Sequence, residues 1–183
     1  VAGSGASAAI GTGAKATGND SFAVGWDAKA SGSTSISIGN RTEARGNNSV
    51  ALGSSNTSAT ADSAVAIGTS AKATATNAIA LGNLAKAEKV GVIALGSTAA
   101  ATGDDTIAIG NSATAKKNGD IILGKDAKSR DQGNGRSIAI GQRATAGSNR
   151  NQIDGDDKST GKRADDGSVA IGTNAYTGLN KGN

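Results

Sequence analysis

The residues best placed to do chemistry lie in one polar stretch, Gly147 to Asp166, which reads GSNRNQIDGDDKSTGKRADD. Asp154, Asp156 and Asp157 invite a cation site, and the run from Gly155 through Gly161 to Lys162 invites a phosphate cradle. Neither pattern holds. A calcium loop needs acidic groups at alternating places and Gly at the sixth; counted from Asp154, the fifth residue is Lys158 and the sixth is Ser159. A phosphate loop needs one residue fewer between its glycines and a Ser or Thr after the Lys, where Arg163 stands here. The glycine pairs that begin at Gly3 and Gly11 have no helix behind them and carry no dinucleotide signal. Composition closes most other chemistry, since the chain has no His and no Cys. That excludes the usual zinc sites, disulfide frameworks, Ser-His-Asp and Cys-His nucleophiles and any imidazole acid or base. One Trp, one Tyr and one Phe make a poor platform for stacking bases. No catalytic, metal or cofactor-binding residue is assigned, no cofactor is implied, and no nucleic-acid partner is expected.

Binding chemistry is better served. The net charge is +4 and the sequence pI about 9.5. Lys15, Lys29, Lys72, Lys86 and Lys128 recur at one position of a repeat, and Arg150, Lys158, Lys162 and Arg163 stand in the polar stretch beside five Asp residues. These nine are the candidate ligand contacts. A basic stripe suits acidic matrix polymers or anionic surfaces. Charged outer strands also keep a β-rod soluble and block sheet stacking, and for each Lys taken singly that is the simpler account. The stretch at 147–166 holds one large apolar residue, Ile153, so it cannot build a core and reads as a protruding polar loop. Either it contacts a ligand or a neighbouring chain, or it is a tolerated insertion.

What positions these residues is a repeat. Among 183 residues, Ile, Leu, Val and Phe number only 28, about 15%, a level at which disorder is the ordinary expectation. Those few are placed economically. A short apolar segment ending in Gly recurs eleven times, at Gly11, Gly25, Gly39, Gly53, Gly68, Gly82, Gly96, Gly110, Gly124, Gly141 and Gly172. The spacing is 14 except for one 15, one 17 and one 31. The positions one and three before the Gly hold 20 of the 27 Ile, Leu and Val residues, and the position between them is Ala in nine copies. Three residues after the Gly, Ala recurs, and five after it every copy has Ala, Ser or Thr. Between those two lies a variable residue: Lys15, Lys29, Glu43, Thr57, Lys72, Lys86, Ala100, Thr114, Lys128, Thr145 and Tyr176.

Both segments alternate with period two, as strands do, and Gly, Asn, Asp and Ser cluster between them as turns require. The spacing predicts an all-β solenoid with two strands per coil, each strand parallel to its equivalent in the next coil. At about 4.8 Å per coil, eleven coils make a rod of roughly 50 Å. Residues 1–183 read as a single domain. The variable position must face water, so its small neighbours face inward. Packing large against small then puts the Val and Ile residues into the roll and the central Ala column outside it, leaving an Ala-rich, nearly uncharged sheet surface for self-association. The reverse orientation would put Val and Ile on the outside, buried only by association. The Gly at each strand end marks a corner with unusual φ or close backbone approach.

Ser49-Val50-Ala51-Leu52-Gly53, Ser168-Val169-Ala170-Ile171-Gly172 and the step Ala71-Lys72-Ala73 resemble the YadA-like head domain of trimeric autotransporter adhesins. The likeness covers residues 6–177. It implies a left-handed parallel β-roll, three copies around one axis, at the tip of a Gram-negative surface fibre. It further implies attachment to host extracellular-matrix proteins such as collagen, fibronectin or laminin, and aggregation of like cells. The family's neck, coiled-coil stalk and membrane barrel are not read in these residues, so outer-membrane anchoring is expected of a C-terminal region beyond them. The alternatives are a β-helix acyltransferase, which has a six-residue period and usually a catalytic His, an ice-binding solenoid, which needs a Thr column, and a purely structural spacer of a surface fibre. Fourteen is not a multiple of six, and Thr here is scattered.

Overall fold

The computed structural model describes residue 2 and residues 5–130, 135–147 and 168–177. Over these the chain winds as a β-solenoid with two parallel sheets. One sheet has eleven strands, running in chain order from Ala8–Ile10 to Val169–Ile171. The other has ten, from Lys15–Ala16 to Thr145–Ala146. Each strand pairs with the strand one coil away at equivalent residues, as in Ile79 with Ile93 and Lys72 with Lys86. A fourteen-residue coil therefore stacks like on like, and one coil's sequence choices become columns along the rod.

Two four-residue turns close each coil. In one copy Ala85 N donates to Gly82 O at 3.2 Å around Leu84, whose φ is +57°. On the other side Ala78 N donates to Ala75 O at 3.1 Å around Asn77, whose φ is +58°. A left-handed residue in the third place of a turn favours Gly, Asn and Asp, which is why those types punctuate the sequence. The strand-end glycines answer a second demand. Gly82 has φ +137°, and a Cβ there would run into the backbone of Gly96 in the next coil. The expected corner role of this column is therefore met both by its φ and by close backbone approach.

The interior differs from the orientation preferred above. The central Ala column faces inward: Ala51, Ala66, Ala80, Ala94 and Ala108 are fully buried. Opposite them lie Ala71, Ala73, Ala85 and Ala87, also fully buried. The Val, Ile and Leu columns point out of the roll, and none of them is buried. The core is thus made mostly of Ala methyl groups, short hydroxyl side chains and backbone. Strands of three and two residues joined by tight turns leave no room between the sheets for a column of branched side chains. Two residues depart from Ala at the central position: Ser37, whose Oγ donates to Thr42 Oγ1 at 2.8 Å, and Ile122, which sits between Ala108 and Ala139 of the neighbouring coils.

Inward polar residues are satisfied by the turns. Ser21 Oγ donates to Gly18 O at 2.7 Å, Ser35 Oγ to Gly32 O at 2.7 Å, and Ser49 Oγ to Gly46 O at 2.6 Å. Asp120 stands at the same place with reversed polarity: its carboxylate accepts from Lys117 N and Ser137 N, each at 2.9 Å. Buried polar groups without such partners would cost about 1–3 kcal/mol each. The one-residue insertion in the fourth copy is absorbed in the turn Ser54-Ser55-Asn56, where both Ser55 and Asn56 have positive φ. The outward residue of that copy is accordingly Ser58, paired with Glu43 and Lys72, and Thr57 is buried, contrary to the sequence assignment.

Candidate functional site

Two outward surfaces are candidates, one on each sheet. On the eleven-stranded sheet, the positions one and three before each Gly form two aliphatic columns broken only by Ala8 and Phe22. Mid-rod side chains such as Ile36, Ile38 and Ile79 are 37% exposed, and at the ends Ile10 and Ile171 reach 58% and 68%. The neighbours that half-cover each side chain are its own column mates one coil above and below. Full burial of a Val, Leu or Ile is worth about 1.5–3 kcal/mol, so covering what remains exposed gains roughly 0.5–1 kcal/mol per residue. Over about twenty residues this amounts to roughly 10–20 kcal/mol per chain before association costs, as large as the whole net stability of an ordinary domain. A surface of that size is not left to water.

On the ten-stranded sheet the outward column starts Lys15, Lys29, Glu43, Ser58, Lys72, Lys86 and continues to Lys128 and Thr145. The five predicted lysines are exposed. Lys15 pairs directly with Lys29 and Lys72 with Lys86, so the fold brings four of them together as two doublets. Lys128 stands three coils beyond Lys86, between Thr114 and Thr145. Arg150, Lys158, Lys162 and Arg163 lie outside the described residues, as does the 147–166 stretch beyond Gly147.

The structure adds cations that the single-column reading missed. The residue two places further on lies on the same face, and it is Arg45, Lys116 or Arg130 in three coils. The period of two that identified the first column is the signal that would have found the second. Arg45 Nη2 lies 2.8 Å from Glu43 Oε1 in the same coil, and this tie is open to solvent on its Arg side, so its own worth is small. At the adjoining turn, the Arg41 guanidinium stacks over the Trp26 ring at 4.5 Å from its centre. Further along, Arg130 lies over Tyr176 at 4.2 Å. Lys15, Lys29, Arg41 and Lys72, with Asp27 and Glu43, border a shallow depression of about 540 Å³. Among the described residues no group of three or more carboxylates gathers in a way that could hold a metal ion.

Comparison with known proteins agrees with this geometry. The family model of the YadA head domain repeat (2 copies) matches residues 3–28, 30–56, 59–85, 77–99, 87–113, 101–121 and 164–176, which together span more than half of the sequence. No curated protein matches the chain.

Proposed function

The chain belongs to the YadA head domain family, the non-enzymatic heads of trimeric autotransporter adhesins, and on that premise we propose that it attaches a bacterium to host extracellular-matrix proteins of the collagen, fibronectin or laminin class. Residues 1–183 act as one head. Three rolls share the aliphatic columns as their seam, and the head stands on the cell surface, held in the outer membrane through a region outside these residues. Contact between heads on neighbouring cells would aggregate the bacteria.

The observation that carries this reading is the continuous, half-exposed aliphatic surface of the eleven-stranded sheet. It calls for identical partners, because every coil presents the same columns and only a copy of the same rod has matching length and period. Burying it leaves the ten-stranded sheet and the turns facing outward for ligand. The candidate contacts are Lys15, Lys29, Lys72, Lys86 and Lys128, with Arg150, Lys158, Lys162 and Arg163 of the long insertion. Sedimentation equilibrium of the purified head should give three times the chain mass. Plates coated with collagen, fibronectin or laminin should retain that trimer. A monomeric head at micromolar concentration, or retention no better than on albumin for all three proteins, would refute the reading. Deleting residues 148–164 should weaken retention while leaving the trimer; unchanged retention removes the insertion from the binding surface.

A further inference from the structure

The charges on this rod are not evenly spread. The two outward positions per coil on the ten-stranded sheet carry eight cations: Lys15, Lys29, Arg45, Lys72, Lys86, Lys116, Lys128 and Arg130. They carry two anions, Glu43 and Glu88. Eight less two leaves an excess of +6 on this face, more than the +4 of the whole sequence. The turn on the far side of each coil behaves differently, with Asp20, Asp62, Asp104 and Asp105 mixed with Lys89 and Lys117. Mixed signs suffice for solubility. An almost single-signed face goes further than solubility asks.

Folding does not ask for it either. Ser58, Ala100, Thr114 and Thr145 fill the lysine position in other coils of the same ladder. Direct neighbours of like charge are mildly destabilising, yet Lys15–Lys29 and Lys72–Lys86 are such neighbours. Among the described residues none of these four is ion-paired. Their spacing is set by the coil: about 4.8 Å within a doublet, and three coils, or about 14 Å, between Lys29 and Lys72. Between the doublets lies the depression bordered by Lys15, Lys29, Arg41 and Lys72, with Asp27 and Glu43 also on its rim.

We propose that this face is a track for a linear sulfated polysaccharide lying along the rod axis, with sulfates on the Lys15–Lys29 and Lys72–Lys86 doublets and a sugar segment over the depression between them. The proposal rests on the reading of the chain as an outward-facing head. Several features select that polymer among anions. A straight periodic cationic line fits a chain with charges at intervals, not a compact acidic protein surface. Nucleic acid would need aromatic platforms. The face has one aromatic, Tyr176 near its end, and Arg130 already covers it. A membrane surface would need apolar side chains to insert. The residues beside Lys15, Lys29 and Lys72 are instead small hydroxyls, Thr17, Ser31 and Thr74, which can hydrogen-bond to sulfate and sugar oxygens, while Glu88 stands beside Lys86. Lysine serves as a mobile point charge there, suited to sulfates that alternate in direction along a sugar chain.

The test uses the purified trimeric head on immobilised heparin. With four ammonium groups engaged and a single-strand counterion coefficient, affinity should fall roughly 50-fold between about 50 and about 200 mM salt. The variant Lys15→Glu, Lys29→Glu, Lys72→Glu, Lys86→Glu should lose at least about 100-fold in affinity and most of that salt dependence. Lys29→Glu also sets a carboxylate against Glu43 in the next coil, so circular dichroism and sedimentation check that the fold and the trimer persist. The four Lys→Gln changes, which add no repulsion toward the ligand, should lose most of the affinity as well. Absence of heparin binding at low salt overturns the proposal. So does parent-like binding by either variant, or equal binding to unsulfated hyaluronan, single-stranded DNA or phosphatidylserine vesicles. Retention on glycan-free collagen, fibronectin or laminin is scored separately. A Glu variant that keeps protein retention and loses heparin supports the track, and a parent that binds heparin but none of the proteins refutes only the protein-ligand reading.

Discussion

Ile79 and Lys86 sit in the same coil, each at an outward position of a parallel ladder, and the chain itself buries neither of them. Ile79 is stacked between Val65 and Ile93, and every coil repeats the theme. Lys86 is stacked between Lys72 and Ala100, and the residue type drifts from Lys to Glu, Ser, Ala and Thr along the rod. The backbone demands the same thing of both positions, an extended residue pointing away from the methyl core. The difference therefore reports what each face meets. A face that stays aliphatic but for Ala8 and Phe22 fits a partner with the same period. A face that varies is open to solvent and can be tuned to a ligand without touching the fold.

The largest way to break this comparison is to put charge on the aliphatic face. Ile79→Asp with Ile93→Asp places two carboxylates per chain in the proposed seam, where an unpaired charge costs several kcal/mol. Sedimentation should show loss of the trimer, with lower thermal stability because assembly and folding are coupled through this surface. Thr74→Asp on the other face should leave the mass unchanged. Equal behaviour of the two variants would mean that the faces do not differ in role. Next in size is the corner joining the two sheets. Gly82→Val forces a branched residue to φ +137° and drives its Cβ into the Gly96 backbone. Unfolding in urea should show a loss of about 3 kcal/mol or more.

Much of this was legible in the residues. The fourteen-residue cadence, the two strands, the turns and the corner glycines follow from Gly, Ala and Val recurring at fixed places. Which face turns inward did not follow from the period, because alternation groups residues by face without saying which face is covered. The rule of packing large against small pointed the wrong way, since it assumed room for Val and Ile between sheets that tight turns hold close. The decisive signal was the residue four before each Gly. Ser21, Ser35, Ser49, Ala64 and Ala78 share a face with the central Ala, and a mostly small column whose Ser members bond to their own turn belongs inside. The insertion at Ser54-Ser55-Asn56 slid Thr57 inward for a related reason: a one-residue bulge can be absorbed at any of several turn positions, and spacing alone does not choose among them.

A smaller effect lies in the turns themselves. Leu84 holds φ +57° and is 47% exposed, while the equivalent places elsewhere have Gly13, Asp27, Ser70 and Asn174. A left-handed conformation costs an ordinary L-residue roughly 1–2 kcal/mol, and Asn much less. Leu84→Asn should therefore stabilise the head by about 0.5–1 kcal/mol, read as a higher urea midpoint. A fall instead would show that Leu84 is covered in the assembly and belongs with the aliphatic surface.

The smallest effect carries the sharpest version of the contrast. Lys86→Ala copies the residue that the next coil already holds at Ala100, so the backbone and core lose nothing. It also removes one member of the Lys72–Lys86 doublet, whose repulsion at one strand spacing acts across less than a Debye length of about 10 Å at 0.1 M salt. Stability should rise by no more than about 0.5 kcal/mol at low salt, and the gain should vanish near 1 M, where screening reaches about 3 Å. A fall in stability would mean that the lysine stem packs on the sheet and helps to hold it. A salt-dependent gain would mean that the doublet is kept against the interest of folding, as a surface selected for what it binds would be.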